Sequence, residues 1–151
     1  MTSDKKSLKT EDKKEKSKED SKKPIAEDSS VKYLGFVLIR SIREAEPDAK
    51  YTAQSLRLTR KNSLVLVKAS PSFKGMLKRL KDYGAFAEIS EASYNKIQRK
   101  KEPSYSSDSV QVYRCSPPRG GFKKSIKLPS PKGILGRKSE EDFMNLVSRM
   151  I

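Results

Sequence analysis

The stretch LVLVKASPSFKGMLKRL, residues 64–80, decides the fold. Leu64 to Val67 is a short apolar run and reads as a strand. Ser70 and Pro71 then pair an N-capping hydroxyl with a proline at the first helical position. Phe73, Met76, Leu77 and Leu80 recur at i, i+3, i+4 and i+7, the spacing of one core-facing helix stripe. Lys74, Lys78 and Lys81 share the opposite side, and Gly84 reads as the C-terminal stop.

Working upstream, the same pattern appears once more. Tyr33 to Ile42 is rich in aliphatic and β-branched residues and reads as a buried strand. Pro47 suits the first turn of a helix. Ala49, Ala53 and Leu56 fall on one stripe, Lys50, Gln54, Arg57 and Lys61 on another face, and Asn62 and Ser63 are expected to break the helix. The order is therefore β-α-β-α. Consecutive crossover helices in such a layer commonly share one side of the sheet, where their lysine rows would make one continuous basic surface. A lysine row opposite an apolar stripe is ordinarily just a solvated face; two such helices in succession strengthen the basic-surface reading.

Downstream, Ser90 could cap a third helix running through Tyr94 and Ile97 into Arg99, Lys100 and Lys101. Pro103 and the serines up to Ser109 read as a polar loop, and Val110 to Arg114 as a possible strand. Cys115 to Gly136 shows neither period and holds four prolines and four glycines, so an extended basic arm is expected there. Ser139 followed by Glu140, Glu141 and Asp142 marks a helix start whose acids favour the dipole. Phe143, Leu146, Val147 and Met150 form its apolar stripe.

The flanks and the charge bound the function. Residues 1–30 contain nine Lys and eight Asp or Glu, with few apolar side chains, and are expected to be a disordered tail. The chain carries +15. Because the tail nearly cancels, the basic excess falls on the folded part and the arm, which points to a polyanionic partner. The longest apolar runs are far shorter than the roughly 20 residues of a membrane span, and the N-terminus shows no secretory signal.

Chemistry fails on inventory. There is no His for general-base work near neutral pH. No phosphate-cradling glycine loop is present. Cys115, the only cysteine, can form no internal disulfide and reads as an unmodified thiol. The chain is expected not to be an enzyme and to need no catalytic residue, metal or cofactor. The richest stretch is Ser116-Pro117-Pro118-Arg119-Gly120-Gly121-Phe122-Lys123-Lys124. Its prolines hold the backbone extended, its glycines allow close approach to phosphate, Phe122 offers a stacking plane, and three cations supply charge. On local content alone it reads equally as a solvated Pro/Gly linker.

Several of these stretches resemble the ribosomal protein L30 family, whose eukaryotic members are L7-type proteins of the large subunit. Gln54-Ser55-Leu56-Arg57-Leu58-Thr59-Arg60, followed by Val65-Leu66-Val67-Lys68-Ala69-Ser70, is similar to a helix and strand of that family. Ser116 to Lys124 resembles its Ser-Pro-Arg-Gly-Gly-Met-Lys-Lys element. Gly136 to Asp142 and Leu146-Val147-Ser148-Arg149-Met150 are similar to its Gly-Asn-Arg-Glu-Asp and closing Leu-Ile-Arg-Arg-Met. The resemblance covers roughly residues 31–101 and 110–151. It departs where the eukaryotic proteins carry a long helical insert, here only the Ser-rich stretch 103–109, and in a short, charge-balanced N-terminal segment.

The resemblance implies an α+β fold: a β-α-β-α-β core with a small antiparallel sheet, ferredoxin-like, with an extended basic C-terminal arm. The expected boundaries are 1–30 for the tail, 31–114 for the RNA-binding core, 115–138 for the arm and 139–151 for a closing helix. It implies a structural constituent of the large ribosomal subunit that binds ribosomal RNA and neighbouring ribosomal proteins, with no membrane and no small-molecule substrate. The location implied is the cytosolic large subunit, reached through the nucleolus. A nucleolar assembly factor of the same family is the alternative, and a lipid-binding module lacks the aromatic-rich amphipathic helix it would need. The RNA-binding set is Lys50, Arg57, Arg60, Lys61, Lys68, Lys74, Lys78, Arg119, Lys123 and Lys124. Positional carry-over from the family favours Arg57, Arg60, Lys68, Arg119, Lys123 and Lys124.

Overall fold

In the computed structural model, which describes residues 33–151, the strand and helix of residues 64–80 both form. The expected tail, residues 1–30, lies outside the described residues. The elements are β1 (Tyr33–Leu38), α1 (Pro47–Ser55), β2 (Ser63–Lys68), α2 (Pro71–Arg79), β3 (Gly84–Ile89) and α3 (Glu91–Lys100). After them come β4 (Tyr105–Ser106), β5 (Val110–Arg114), β6 (Ser125–Pro129), β7 (Gly133–Arg137) and α4 (Glu140–Met150).

One seven-stranded sheet results, in the order β4-β5-β2-β1-β3-β7-β6. Its centre is antiparallel: β1 pairs with β2 and β3, and β2 with β5. The ferredoxin-like core is thus present, and the sheet around it is larger than expected. The arm accounts for part of the difference. Gly133–Arg137 is not a free extended segment but a strand parallel to β3, with Ile134 and Leu135 buried. β6 is joined to β7 by two irregular bridges, Ser125 to Gly133 and Pro129 to Leu135. The 103–109 loop likewise contributes β4, paired with β5.

Side-chain alternation divides the interior in two. Leu34, Phe36 and Leu38 of β1, with Val65 and Val67 of β2, face Ala49 and Ala53 of α1, Leu56 at its C-cap, and Leu77 and Leu80 by α2. Val37, Leu64, Leu66, Ala85, Ala87 and Ile89 face Ile97 of α3 and Phe143, Leu146, Val147 and Met150 of α4. The central strands are therefore buried on both faces, which explains their unbroken apolar runs. As expected, α1 and α2 lie on one side.

The local signals decide most element ends. Ser70 caps α2, its hydroxyl accepting from the Phe73 amide at 3.3 Å. Ser139 caps α4 the same way, accepting from Asp142 N–H at 3.3 Å. Ser90 stands at the N-cap of α3 but makes no side-chain cap bond. Glu140 draws that hydroxyl away. Its Oε1 accepts from Ser90 N at 3.0 Å, Ser90 Oγ at 2.7 Å and Ser93 Oγ at 2.5 Å, tying the starts of α3 and α4 together.

Three expectations need correction. β1 stops at Leu38, not Ile42, because the amides of Ile39 and Arg40 both turn to the Tyr83 carbonyl. Gly84 does not stop α2, which ends at Arg79; it opens β3. A Cβ at Gly84 would stand 2.2 Å from the Val37 carbonyl oxygen, so the residue is small for strand packing. Finally, α1 ends at Ser55, well before Asn62. Leu58 N–H donates to Ala53 O and Arg57 N–H to Gln54 O, the paired bonds of a Schellman motif. Arg57 occupies the left-handed position, at φ 57°, where glycine is usual.

Candidate nucleic-acid interface

All ten cations expected to meet RNA are exposed, but they do not form one patch. Three of them, Lys50, Arg60 and Lys61, line an open groove of about 950 Å³ beside α1. α1 presents Lys50, and the turn after the Schellman motif presents Arg60 and Lys61. Leu38, Ala53 and Leu58 lie at the groove's base. Arg43 completes the rim and was missed. Residues 39–42 are a loop and not the expected strand, because β1 ends early, and this loop carries Arg43 to the groove. Tyr51, on the same helix, is 74% exposed and offers an aromatic face.

Arg57 leaves the helix face on which it was placed. Its left-handed backbone carries the guanidinium over the Tyr105 ring, 4.5 Å from the centroid, so it joins α1 to β4. Lys68 is exposed at the end of β2 and Lys78 on α2. Lys74 is exposed too, but its Nζ lies 3.3 Å from Glu88 Oε1, and Arg137 approaches the other oxygen at 3.5 Å. That carboxylate on β3 neutralises part of the α2 face.

Arg119, Lys123 and Lys124 are exposed on a backbone that is firmly held. Ser116 N–H donates to Met150 O at 3.1 Å, and Arg119 N–H to Arg149 O at 3.0 Å. The Arg149 guanidinium donates back to Arg119 O, Nη2 at 2.7 Å and Nε at 3.1 Å, and to Gly121 O. Gly120 and Gly121 adopt φ of 74° and 71°, the left-handed turn that brings these carbonyls round to one guanidinium. Phe122, expected as a free stacking plane, is instead half-buried against the α3–α4 core. In the sequence Arg149 stands only within the terminal motif, and nothing local marks it as a clamp.

Further along, Lys138 Nζ donates to Gly133 O at 2.8 Å and Ser130 Oγ at 3.2 Å. Burial and then the neighbouring Lys124 push its ammonium pKa down, against the pull of Asp142. From Ser109 to Ser139 the chain has no Asp or Glu at all. In the α3–α4 core, burial and then the neighbouring Tyr94 push the Tyr113 phenol up to about 12, against the lowering effect of hydrogen bonding, so it stays neutral; it donates to Gln111 Oε1 at 2.8 Å.

No helix among the described residues is long and apolar enough to cross a membrane. The arrangement can bind a polyanion through exposed cations on a rigid frame, and offers an aromatic face beside the groove.

The family model described as ribosomal protein L30p/L7e matches residues 36–83, which span β1 to the threshold of β3. The large ribosomal subunit protein uL30 of Desulfurococcus amylolyticus is 26% identical over 162 residues, covering 80% of this chain and 99% of that protein. The uL30 protein of Thermoplasma acidophilum is 28% identical, with 78% and 92% covered. That of Ignicoccus hospitalis is 27% identical, with 81% and 99% covered. An alignment of 162 residues that uses only 80% of a 151-residue chain means that the Desulfurococcus protein has residues with no counterpart here.

Proposed function

Because this chain belongs to the ribosomal protein L30p/L7e family, we propose that it is a structural constituent of the large ribosomal subunit that binds ribosomal RNA and supports translation. The observation that carries the reading is the outward presentation of its cations: an acid-free segment from Ser109 to Ser139 fixed on a folded frame. The mechanism is electrostatic. Arg43, Lys50, Arg60 and Lys61 take phosphates at the groove, while Tyr51 stacks on an unpaired base. Arg57, Lys68, Lys74 and Lys78 extend that face. Arg119, Lys123 and Lys124 meet a second stretch of backbone from the other side of the sheet. Two such footings read RNA shape in place of paired sequence.

Neighbouring ribosomal proteins complete the partners, and the protein works in the cytosolic subunit after passing through the nucleolus. No catalytic step belongs to this reading. The test is a sucrose-gradient profile of the tagged protein, with and without a high-salt wash. Co-sedimentation with large subunits and polysomes, retained at moderate salt, is the expected result. Presence only in precursor fractions would point to an assembly factor and overturn the proposal.

A further inference from the structure

Among the described residues four large apolar side chains stand exposed: Tyr51, Tyr105, Ile126 and Leu128. Tyr51 stands on α1, beside the basic groove, and Tyr105 lies under the Arg57 guanidinium. Ile126 and Leu128 have no such place in the interface described above. They are 42% and 46% exposed and flank Lys127 on β6, the last strand of the sheet.

The segment that carries them is braced. Ser130 N–H donates to Leu135 O at 2.9 Å. Lys138 Nζ ties Ser130 Oγ to Gly133 O, and Lys124 Nζ donates to Pro131 O at 3.4 Å. A Cβ at Gly133 would stand 1.8 Å from the Leu128 carbonyl oxygen, so the two strands meet backbone to backbone there. Ser125 and Pro129 pair with Gly133 and Leu135, which leaves residues 126–128 opposite Ile134 alone. Extra residues of this kind bend a strand out of its ladder.

The edge is closed to another protein strand. Lys127 N–H is turned to Ser125 Oγ at 3.3 Å, and Pro129 has no amide to offer. A lysine and a proline on an edge strand guard against pairing with another chain. The surrounding charge points to a different partner. Lys123, Lys124, Lys127 and Lys132 lie around the pair in sequence, with no acid from Ser109 to Ser139. A protein surface would have to bring a carboxylate to each lysine, whereas RNA brings a phosphate with every nucleotide. A paired helix would turn phosphates and hydroxyls to Ile126 and Leu128 and leave them without an apolar partner. An unpaired base supplies one, a flat face between two phosphates.

We propose that Ile126 and Leu128 pack on the face of an unpaired RNA base, with Lys123, Lys127 and Lys132 on the phosphates around it. The inference rests on the reading above that this chain binds ribosomal RNA. It adds a contact that favours unpaired over paired RNA, which the cations alone do not.

The test compares wild type with Ile126→Ser, Leu128→Ser in the full chain, on single-stranded poly(U) and on the duplex poly(A)·poly(U). Affinity of the double variant for poly(U) should fall roughly tenfold. Its affinity for the duplex should hold. The slope of log affinity against log salt should match wild type on both, since no cation is lost. Methyl NMR of the wild type reads the same contact without a substitution. The Ile126 and Leu128 signals should shift with poly(U), while those of Leu77 and Leu80 in the α1–α2 core stay in place. Equal losses on both polymers, or a double variant that holds poly(U) as well as wild type, would overturn the proposal. So would Ile126 and Leu128 signals that ignore poly(U) and move with protein concentration, which would assign the pair to a second copy. A wild type that binds neither polymer nor ribosomal RNA would overturn the functional reading as well.

Discussion

The two sides of the sheet solve the same task, covering an apolar face with two helices, yet present charge in different ways. On the α1–α2 side the cations come from the helices and turns that also bury the core. Lys50 sits one residue from buried Ala49, Arg57 terminates a helix, and Lys74 is engaged with Glu88. On the α3–α4 side the expected RNA-binding cations come from a separate segment, held by backbone carbonyls under Arg149 while its side chains stay outside. Binding and stability are therefore entangled on the first side and separable on the second.

The largest effects should come from the cores. Phe143→Ala, on the arm's side, and Leu77→Ala, on the other, should each cost about 3–4 kcal/mol, read by urea unfolding. A single shared transition for both variants would show that the halves unfold as one sheet; two transitions would break the comparison in favour of separate units.

Next comes the arm. Arg119→Ala, Lys123→Ala and Lys124→Ala together should lower the slope of log affinity for ribosomal RNA against log salt by about 2–3. The melting temperature should stay unchanged. The triple change Lys50→Ala, Arg60→Ala, Lys61→Ala should reduce the slope similarly, since those three side chains are also exposed. Adding Arg57→Ala should then lower stability as well, which sharpens the contrast. A fall in melting temperature in the arm variant would contradict separability.

A smaller effect is expected at Glu140. Hydrogen bonds from Ser93 and then Ser90 hold its carboxyl below the usual range, against the opposing effect of partial burial. A depressed folded-state pKa contributes stability that is present above the unfolded value of about 4.3 and is lost as pH falls through the lower, folded one. Glu140→Gln should cost about 1 kcal/mol at pH 7. Wild type and variant should converge as pH falls through that lower, folded value. A constant gap down to pH 2 would show that shape, not charge, matters at this junction.

The smallest effect belongs to Arg57→Gly. Relief of the left-handed backbone gains up to about 1 kcal/mol. Loss of the contact with Tyr105 removes about 0.5–1 kcal/mol. Thermal unfolding should therefore move little, and Tyr105→Ala alone should destabilise by the second amount.

What the sequence made legible follows the range of the forces. Capping by Ser70 and Ser139 acts over three residues, and both helix starts could be read directly. The end of α1 could not, because its left-handed position holds Arg where a glycine would have marked it. β3 was hidden by its own packing. Gly84, Ala85 and Ala87 are small because neighbouring strands and helices press on them, and this removes the β-branched signature that marks a strand. β7 was masked by the surrounding glycines and prolines, although Ile134 and Leu135 are buried. For the interface, the exposure of the ten cations was legible. Which of them converge was not, since Arg43 reaches the groove only through a premature strand end, and Arg149 grips the arm across 28–30 residues of sequence.

The parallel pairing of β3 with β7 has a consequence in time. Ala85 lies opposite Gly136, and everything between them must be made before the ladder can close. At roughly 5–20 residues per second, about 3–10 s of synthesis separate the two strands. Throughout that interval the finished β3 shows an open row of amides and carbonyls along the side that β7 will cover, the kind of edge on which chains aggregate. The newborn protein is therefore most vulnerable in the seconds before its own arm arrives.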